Sequence, residues 1–477
     1  MISQVASVQQ KKRLKGEVHG VGLEASWILL CRRFLPVEIK DSVWRISRHG
    51  RPNEPHEGWK LHISATILDA CDVLEKVAPL LMSLDVQFKA PDSLEELSKI
   101  NCGLQYGYHQ VGKFITVYPS SDRQAIEIAA ALDQRTRKFF PVRVPYDEQY
   151  SPGSSVFYRY GAFAKVEMTD EKGETFQVVR NDMGEFVRDD RCVSVPSWVS
   201  DPFPNAGKPS ERKFKNTPLG NDYLVYRAIT QRGKGGTYEA FDTTQRTARL
   251  SIVKEGRKYG ELSWTEQDGY SLVHHEYSVL REISKRYDGV PRPFASFEVH
   301  GNFYFAMEFV EGKSLKEWME QRVRRFSFKR ILELAIGIAR ILERIHDSGW
   351  IWNDCKPGNL IIAPNGTLRP IDFETAYTID SRDRFDWQTR GFSRPRKFGE
   401  QSNGRAADLF SLGAVIYFLL TGHLYDSDDA VRIAAKRRSV PEGLVIITEE
   451  LLAERHSKVD QVVFRLENLL DRQGIKG

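Results

Sequence analysis

Long apolar runs are missing from this chain of 477 residues. None approaches the ~20 residues needed to cross a bilayer, and the N-terminus carries no signal-peptide pattern. No membrane span is expected. Cysteine is scarce: Cys31, Cys71, Cys102, Cys192 and Cys355 lie far apart and form no C-x-x-C pair. They read as reduced thiols in a cytoplasmic chain, with no zinc site. Charge of one sign is missing too. Lys and Arg number 69 against 64 Asp and Glu, a formal +5. With no basic patch interleaved with aromatics, a nucleic-acid partner is not expected. No internal repeat is present. Hydrophobic residues at 41% and charged residues at 28% suit an ordinary globular chain, long enough for two or three domains with separate cores.

The most informative stretch is Ile345 to Tyr377, IHDSGWIWNDCKPGNLIIAPNGTLRPIDFETAY. It holds Asp354, Lys356 and Asn359 in the order D-x-K-P-x-N, and Asp372 opens a D-F-x after an apolar run. Phosphoryl transfer needs this set. A carboxylate receives the proton of the attacking hydroxyl, a cation holds the transferring phosphate, and an amide with a second carboxylate holds magnesium. A lone D-x-K would carry little, but the whole pattern with flanking apolar strands carries much.

The N-terminal half reads differently. Residues 1–50 are mixed, with apolar islands such as WILLCRRFLP, and are expected at the periphery of a first domain. Alternation in GWKLHISAT marks a strand with Lys60, His62 and Ser64 on one face. A helical pattern spans 67–84, and DVQFK is a second strand carrying Lys89. GKFITVY is a third, with Lys113 at its start. A helix around 125–138 precedes SVFYRYGAF, which carries Arg159. A basic residue at one strand end is usually just solvated, and a lone histidine is usually a core residue. Together these five suit a dianionic phosphate ester, and a lysine desolvated among cations can become a base.

Residues 201–219, rich in Pro, Ser and Lys, read as a linker between a first domain over 1–200 and a second half beginning near 220. Two strands joined by the turn of Gly233, Gly235 and Gly236 come next, then a strand ending in Lys254 and a helix carrying Glu276. Tyr238 stands where a third glycine would complete G-x-G-x-x-G. The apolar strand FYFAMEFV brings Met307, Glu308 and Val310, and helices are expected over 315–325 and 328–348. A buried helix over 407–421 is expected to be capped by Asp408, and the rest of the chain to be helical.

These motifs resemble protein kinases over roughly residues 220–477, with an N-lobe at 220–310 and a C-lobe at 311–477. The resemblance implies Lys254 on the α- and β-phosphates of ATP or another nucleoside triphosphate, with Glu276 as its ion-pair partner. It implies hinge contacts at Met307, Glu308 and Val310, with the main chain of Glu308 and Val310 bonding the base. Asp354 would be the catalytic base, Lys356 the γ-phosphate contact, and Asn359 and Asp372 the Mg²⁺ ligands. The lysine two residues after the base resembles the serine/threonine type. Two departures stand out: Trp352-Asn353 replaces the usual His-Arg, and Glu374 replaces the glycine after Asp-Phe.

GWKLHISAT, VQFK, GKFITVYP and YRYGAF together resemble the lyase domain of class III and IV lanthipeptide synthetases, itself similar to phosphothreonine lyases. The implied fold class is α+β, a phosphothreonine-lyase-like domain followed by a bilobal kinase-like domain. The implied function is dehydration of a precursor peptide made of a leader and a core with Ser, Thr and Cys. Ser or Thr is phosphorylated, and phosphate is then eliminated to dehydroalanine or dehydrobutyrine. Lys89 would be the base and His62 the acid, roles that could be exchanged, while Lys60, Lys113 and Arg159 bind phosphate oxygens. Such synthetases continue into a cyclase with zinc ligands, so a cyclase is expected to be cut away or to act in trans. The rival reading is a Ser/Thr kinase with an N-terminal regulatory binding module, and a third is a non-catalytic peptide scaffold.

Overall fold

A computed structural model describes residues 20–474, apart from 164–165, 204–218, 221, 245–246, 322–325, 382–388, 395–403, 427–439 and 457. The expected linker lies almost wholly outside these.

Seven antiparallel strands organise the first domain: β1 (Val37–Glu38), β2 (Trp44–Ile46), β3 (Glu57–Ile63), β4 (Gln87–Pro91), β5 (Ile115–Tyr118), β6 (Glu148–Gln149) and β7 (Val156–Ala162). Their order is β1-β2-β4-β5-β3-β7-β6. Strand period two sorts the side chains. Leu61, Ile63, Phe88, Ala90, Ile115, Val117 and Tyr158 are buried on one face. Four helices cover that face: α1 over 20–34, α2 (Ala70–Ser83), α3 (Leu94–Cys102) and α4 (Asp122–Thr136). Each large apolar side chain buried there contributes about 1.5–3 kcal/mol. Ser93 and Ser121 cap α3 and α4 by accepting from the backbone N–H of Glu96 and Gln124.

The start of the chain is a correction. Within 1–50, the described residues supply two strands of the sheet and a helix whose Trp27 is fully buried. Apolar residues at 27, 30, 31, 34 and 35 have helical spacing, and that signal was there to be read. A small sheet of β8 (Glu167–Thr169), β9 (Thr175–Arg180) and β10 (Phe186–Arg188) follows β7 and had no sequence counterpart.

The second half has two lobes, as the resemblance implied. Strands β11 (Tyr223–Arg232), β12 (Gly235–Asp242), β13 (Arg249–Gly256), β14 (Pro293–Val299) and β15 (Asn302–Glu308) form a sheet ordered β11-β12-β13-β15-β14, with α5 (Gly269–Ile283) packed on it. The larger lobe holds α6 (Leu315–Glu320), α7 (Phe328–Asp347), α8 (Gly404–Thr421), α9 (Glu442–Leu452) and α10 (Val459–Gly474). By length and composition α8 could cross a membrane, but 83% of it is buried inside this lobe, so it is a core helix.

Candidate active sites

The polar face of the first sheet carries the cations. Cross-strand register sets Lys60 opposite Arg159, and sets His62 and Lys89 on either side of Thr116. Residues paired in register point to the same face, so five side chains from four strands converge. Lys113 joins them from the turn before β5, held by Gly112 at φ 75, whose N–H donates to Asn101 Oδ1 at 3.3 Å.

Carboxylates that no sequence pattern singled out organise these groups. Asp147 sits 2.5 Å from His62 Nδ1 through one oxygen and 3.1 Å from Lys113 Nζ through the other. Burial would raise Asp147, but Lys113 and His62 hold it well below the ordinary carboxylate range. Asp189 accepts from Arg159 Nη2 at 2.6 Å and from the Ala162 N–H at 3.1 Å. Arg191 Nη1 lies 2.9 Å from His109 Nε2. The Lys89 ammonium stands 4.2 Å above the centre of the Trp44 ring. Asp147, Asp189, Arg191 and Trp44 lie in loops or at strand ends and His109 in a single 3-10 turn, where no periodicity marks them.

Burial pushes Lys60 down to about 7, with Asp189 opposing and Arg159 and Lys89 reinforcing. Burial, then Arg191 and Lys113, push Lys89 down to about 8. Lys113 is lowered by burial, and His62 is pushed to about 3 by burial against the pull of Asp147. Arg159 Nε is buried with no hydrogen-bond partner among the described residues. A dianion would satisfy that donor and relieve the crowding of cations.

The second site lies between the lobes. Lys254 on β13 reaches both Glu276 carboxylate oxygens at 2.6 Å and Asp372 at 3.1 Å. Burial would lower this lysine, but Asp372, Glu276 and Glu374 push it above its ordinary value. Asp354 takes Lys356 Nζ at 2.6 Å, Asn359 Nδ2 at 2.9 Å and the Thr389 hydroxyl at 2.9 Å. Its carboxyl is raised by burial against the pull of Lys356. Because the Asn359 NH₂ is committed to Asp354, its carbonyl oxygen is left for a cation. With the Asp372 carboxylate it makes the hard oxygen set that Mg²⁺ prefers. Met307 is buried at the end of β15, and the Glu308 side chain is tied to Arg369 at 3.1 Å, so main chain is what this edge can offer a base.

Several expectations are refined here. Asp408 does not cap α8; it lies inside the helix, fully buried. Its carboxylate accepts the backbone N–H groups of Trp352 at 3.0 Å and Asn353 at 2.8 Å, and pairs with His346 at 2.9 Å. It thereby braces the loop carrying Asp354, with Asn353 in the left-handed region at φ 65. Trp352 stacks on Phe373 and donates its indole N–H to the Asp372 carbonyl at 2.9 Å. The glycine turn is a tight hairpin, with Arg232 paired to Gly235. Gly235 and Gly236 line one cavity of the cleft together with Lys254 and Asp372. Gly233 turns away and donates its N–H to the Cys102 carbonyl at 3.0 Å. Tyr238 fills the third glycine position and bonds Glu255 at 2.6 Å. Lys234, from the hairpin, is ion-paired with Glu374, the residue that replaces a glycine.

Two lobes, a Lys–Glu pair within the smaller one and a D-x-K-P-x-N loop beside Asp-Phe define a protein kinase. The chain belongs to that family: the protein kinase domain matches residues 226–471, and a second family, RamC N-terminal domain, matches residues 37–215. The chain is 25% identical over 393 residues to a probable SapB synthase of Streptomyces coelicolor, covering 79% of this chain and 41% of that protein. It is 31% identical over 217 residues to serine/threonine-protein kinase C of Synechocystis, covering 43% of this chain and 40% of that one. To kinase F of the same organism it is 27% identical over 285 residues, 54% of this chain and 57% of the relative. The chain thus spans less than two thirds of the length of these relatives. The order of a RamC N-terminal domain and then a kinase domain is the one the lanthipeptide synthetase resemblance implied.

Proposed function

We propose that this chain dehydrates Ser and Thr of a ribosomal precursor peptide in two steps, at two sites. The observation that carries the reading is the cluster of Lys60, His62, Lys89, Lys113 and Arg159 on one sheet face, Lys60 and Lys89 partly buried and the other three buried, in the same chain as a kinase domain. A regulatory binding module has no need of a lysine held near neutrality.

In the first step Asp354 takes the proton of the substrate hydroxyl while Lys356 holds the transferring phosphate. Lys254, fixed by Glu276, grips the α- and β-phosphates of ATP. Asn359 and Asp372 would hold Mg²⁺, which supplies charge neutralisation along the phosphates. In the second step neutral Lys89 removes the α-proton of the phosphorylated residue. The Cα–H electrons form the Cα=Cβ bond, the Cβ–O bond breaks, and phosphate leaves with that pair. Lys60, Lys113 and Arg159 hold its oxygens, and Arg191 stands close enough to join them. His62, oriented by Asp147 on Nδ1, presents Nε2 to the leaving oxygen and gives it a proton. The bound dianion raises the imidazole toward the protonated form this requires.

The test is mass. A Ser-rich precursor peptide incubated with the enzyme, ATP and Mg²⁺ should lose ~18 Da per modified residue through transfer followed by elimination. A product that stops at a gain of ~80 Da per site would make the protein a kinase with an N-terminal binding module.

A further inference from the structure

The glycine hairpin of a kinase ordinarily moves as a flap over the nucleotide. Here its tip is held from outside the kinase. The Gly233 N–H donates to the carbonyl of Cys102, the last residue of α3 in the N-terminal domain, at 3.0 Å. A Cβ on Gly233 would fall 1.6 Å from the Asn101 carbonyl oxygen, so only glycine allows this approach. On its other side the hairpin is gripped by the segment after β13. The Arg257 N–H donates to the Lys234 carbonyl at 2.8 Å, and its guanidinium donates to the Arg232 carbonyl at 2.8 Å. That guanidinium lies 5.3 Å from the centre of the Tyr108 ring, again in the N-terminal domain. Two residues on, Tyr259 stacks against Phe140 of the same domain, with ring centres 4.4 Å apart and planes within 14°. Of three contacts from separate pieces of the N-terminal domain, one therefore reaches the hairpin itself and two reach the segment that grips it. That hairpin presents Gly235, Gly236 and Lys234 to the same cavity of the cleft, where Lys234 meets Glu374.

We propose that the N-terminal domain is a structural part of the kinase nucleotide site: Cys102 holds the Arg232–Lys234 hairpin directly, Tyr108 and Phe140 hold it through the Arg257–Tyr259 segment, and together they keep it in its phosphate-binding position. Gly233 and Phe140 are positioning residues that act through the hairpin and touch no nucleotide. The inference rests on the kinase half of the proposed function. A flap held in place before binding spares the nucleotide the ordering cost, so the clamp acts on affinity for ATP more than on the transfer step. The same contact also ties the sites together. Asn101 takes the Gly112 N–H next to Lys113 and donates to the Ala65 carbonyl at 3.0 Å, one residue past Ser64.

The test uses the full chain with two substitutions. Phe140 is half-exposed, so Phe140→Ala leaves the fold intact while removing the stack. The Kd for a fluorescent Mg-ATP analogue should rise about three- to tenfold, with kcat for peptide phosphorylation at saturating ATP unchanged. Phe140→Tyr should restore the Kd. Gly233→Ala should raise it further, and Phe140→Ala should eliminate phosphate from a ready-made phosphopeptide at the wild-type rate. Amide hydrogen exchange over residues 232–236, without nucleotide, should quicken in Phe140→Ala and Gly233→Ala. Unchanged exchange in both variants, or unchanged nucleotide affinity in both, overturns the clamp. A wild-type protein that binds no nucleotide refutes the kinase reading instead, and exchange at the hairpin still decides the clamp.

Discussion

Replacing Lys89 with alanine should stop dehydration after phosphorylation, and the structure sets the size of the effect. A lysine in water, with a pKa near 10.4, is neutral about once in 2,500 at pH 7. Lys89, pushed to about 8 by burial and by Arg191 and Lys113, is neutral about once in ten. Burial thus raises the supply of neutral base roughly 200-fold, equivalent to about 3 kcal/mol. Losing a positioned base costs roughly 10²–10⁴-fold in rate. The assay is phosphate release from a synthetic phosphopeptide, which bypasses the kinase. The pH profile then separates the two lysines. In the free enzyme Lys89 must be neutral and Lys60, pushed to about 7, must be charged. So kcat/KM should be bell-shaped with its maximum between about 7 and 8. In the complex the bound dianion keeps Lys60 charged and also raises Lys89. Only the base limb then survives in kcat, climbing with pH to a midpoint at or above about 8. Lys60→Ala should raise KM and keep the kcat limb. If Lys60→Ala removes that limb while Lys89→Ala only weakens binding, the base is Lys60 and the two roles are reversed.

Asp354→Asn and Asp372→Asn should abolish phosphorylation yet leave elimination from the phosphopeptide intact; loss of both activities in a folded protein would refute two separate sites. Enzyme stripped by a phosphatase, with intact mass confirming no phosphate, should phosphorylate peptide at full rate from the first time point. Asn353 stands where a charged arginine would answer an activation-loop phosphate, and its side chain instead approaches the Thr375 carbonyl at 3.4 Å. Trp27→Ala should destabilise the N-terminal domain by about 3–5 kcal/mol in urea unfolding, because the indole is fully buried against Phe114; a peripheral residue would cost almost nothing. A small amine-acylating reagent at pH 7.5 should label Lys89 and Lys60 ahead of Lys254, since only neutral amines react, and inorganic phosphate should protect the first two; Lys254 labelling first would reverse the charge assignment.

Much of the arrangement was legible because side chains on strands inherit a period. Lys60 and His62 two apart state their shared face in the sequence itself, and D-x-K-P-x-N states a loop, whereas Lys89 joins that face only through the register at Thr116. What stayed hidden were residues whose role depends on distance in space alone. Asp147 follows Tyr146, which sits in the left-handed region at φ 65, in a loop 85 positions beyond His62. Nothing local marks it, yet it orients the imidazole and neutralises Lys113. Asp408 misled for a related reason. An acidic residue near a helix start is commonly a cap, whereas here it is buried within the helix and serves the backbone of Trp352 and Asn353, more than fifty residues earlier. Gly233 looked like a phosphate contact because kinase hairpins supply them. Its amide belongs to a neighbouring domain that no reading of the kinase motif would include.

The two sites use one residue type in opposite senses, and the surroundings decide which. Lys254 is ringed by three carboxylates, Glu276, Asp372 and Glu374, which override burial and keep it charged. A permanent cation is what polyphosphate binding asks for. Lys60 and Lys89 lie among other cations, and there burial and repulsion act together to strip the charge. Among the described residues Asp147 and Asp189 temper the repulsion, and each is committed to another partner, His62 or Arg159. On the proposed reading, a dianion entering the cluster would meet positive charge that exceeds the two carboxylates among the described residues, while one amine stays neutral. A binding module evolved only to hold phosphate would gain by adding carboxylates outside the cluster to keep every lysine charged. On the proposed reading the arrangement gives up part of that grip and retains a base, the trade that elimination chemistry requires.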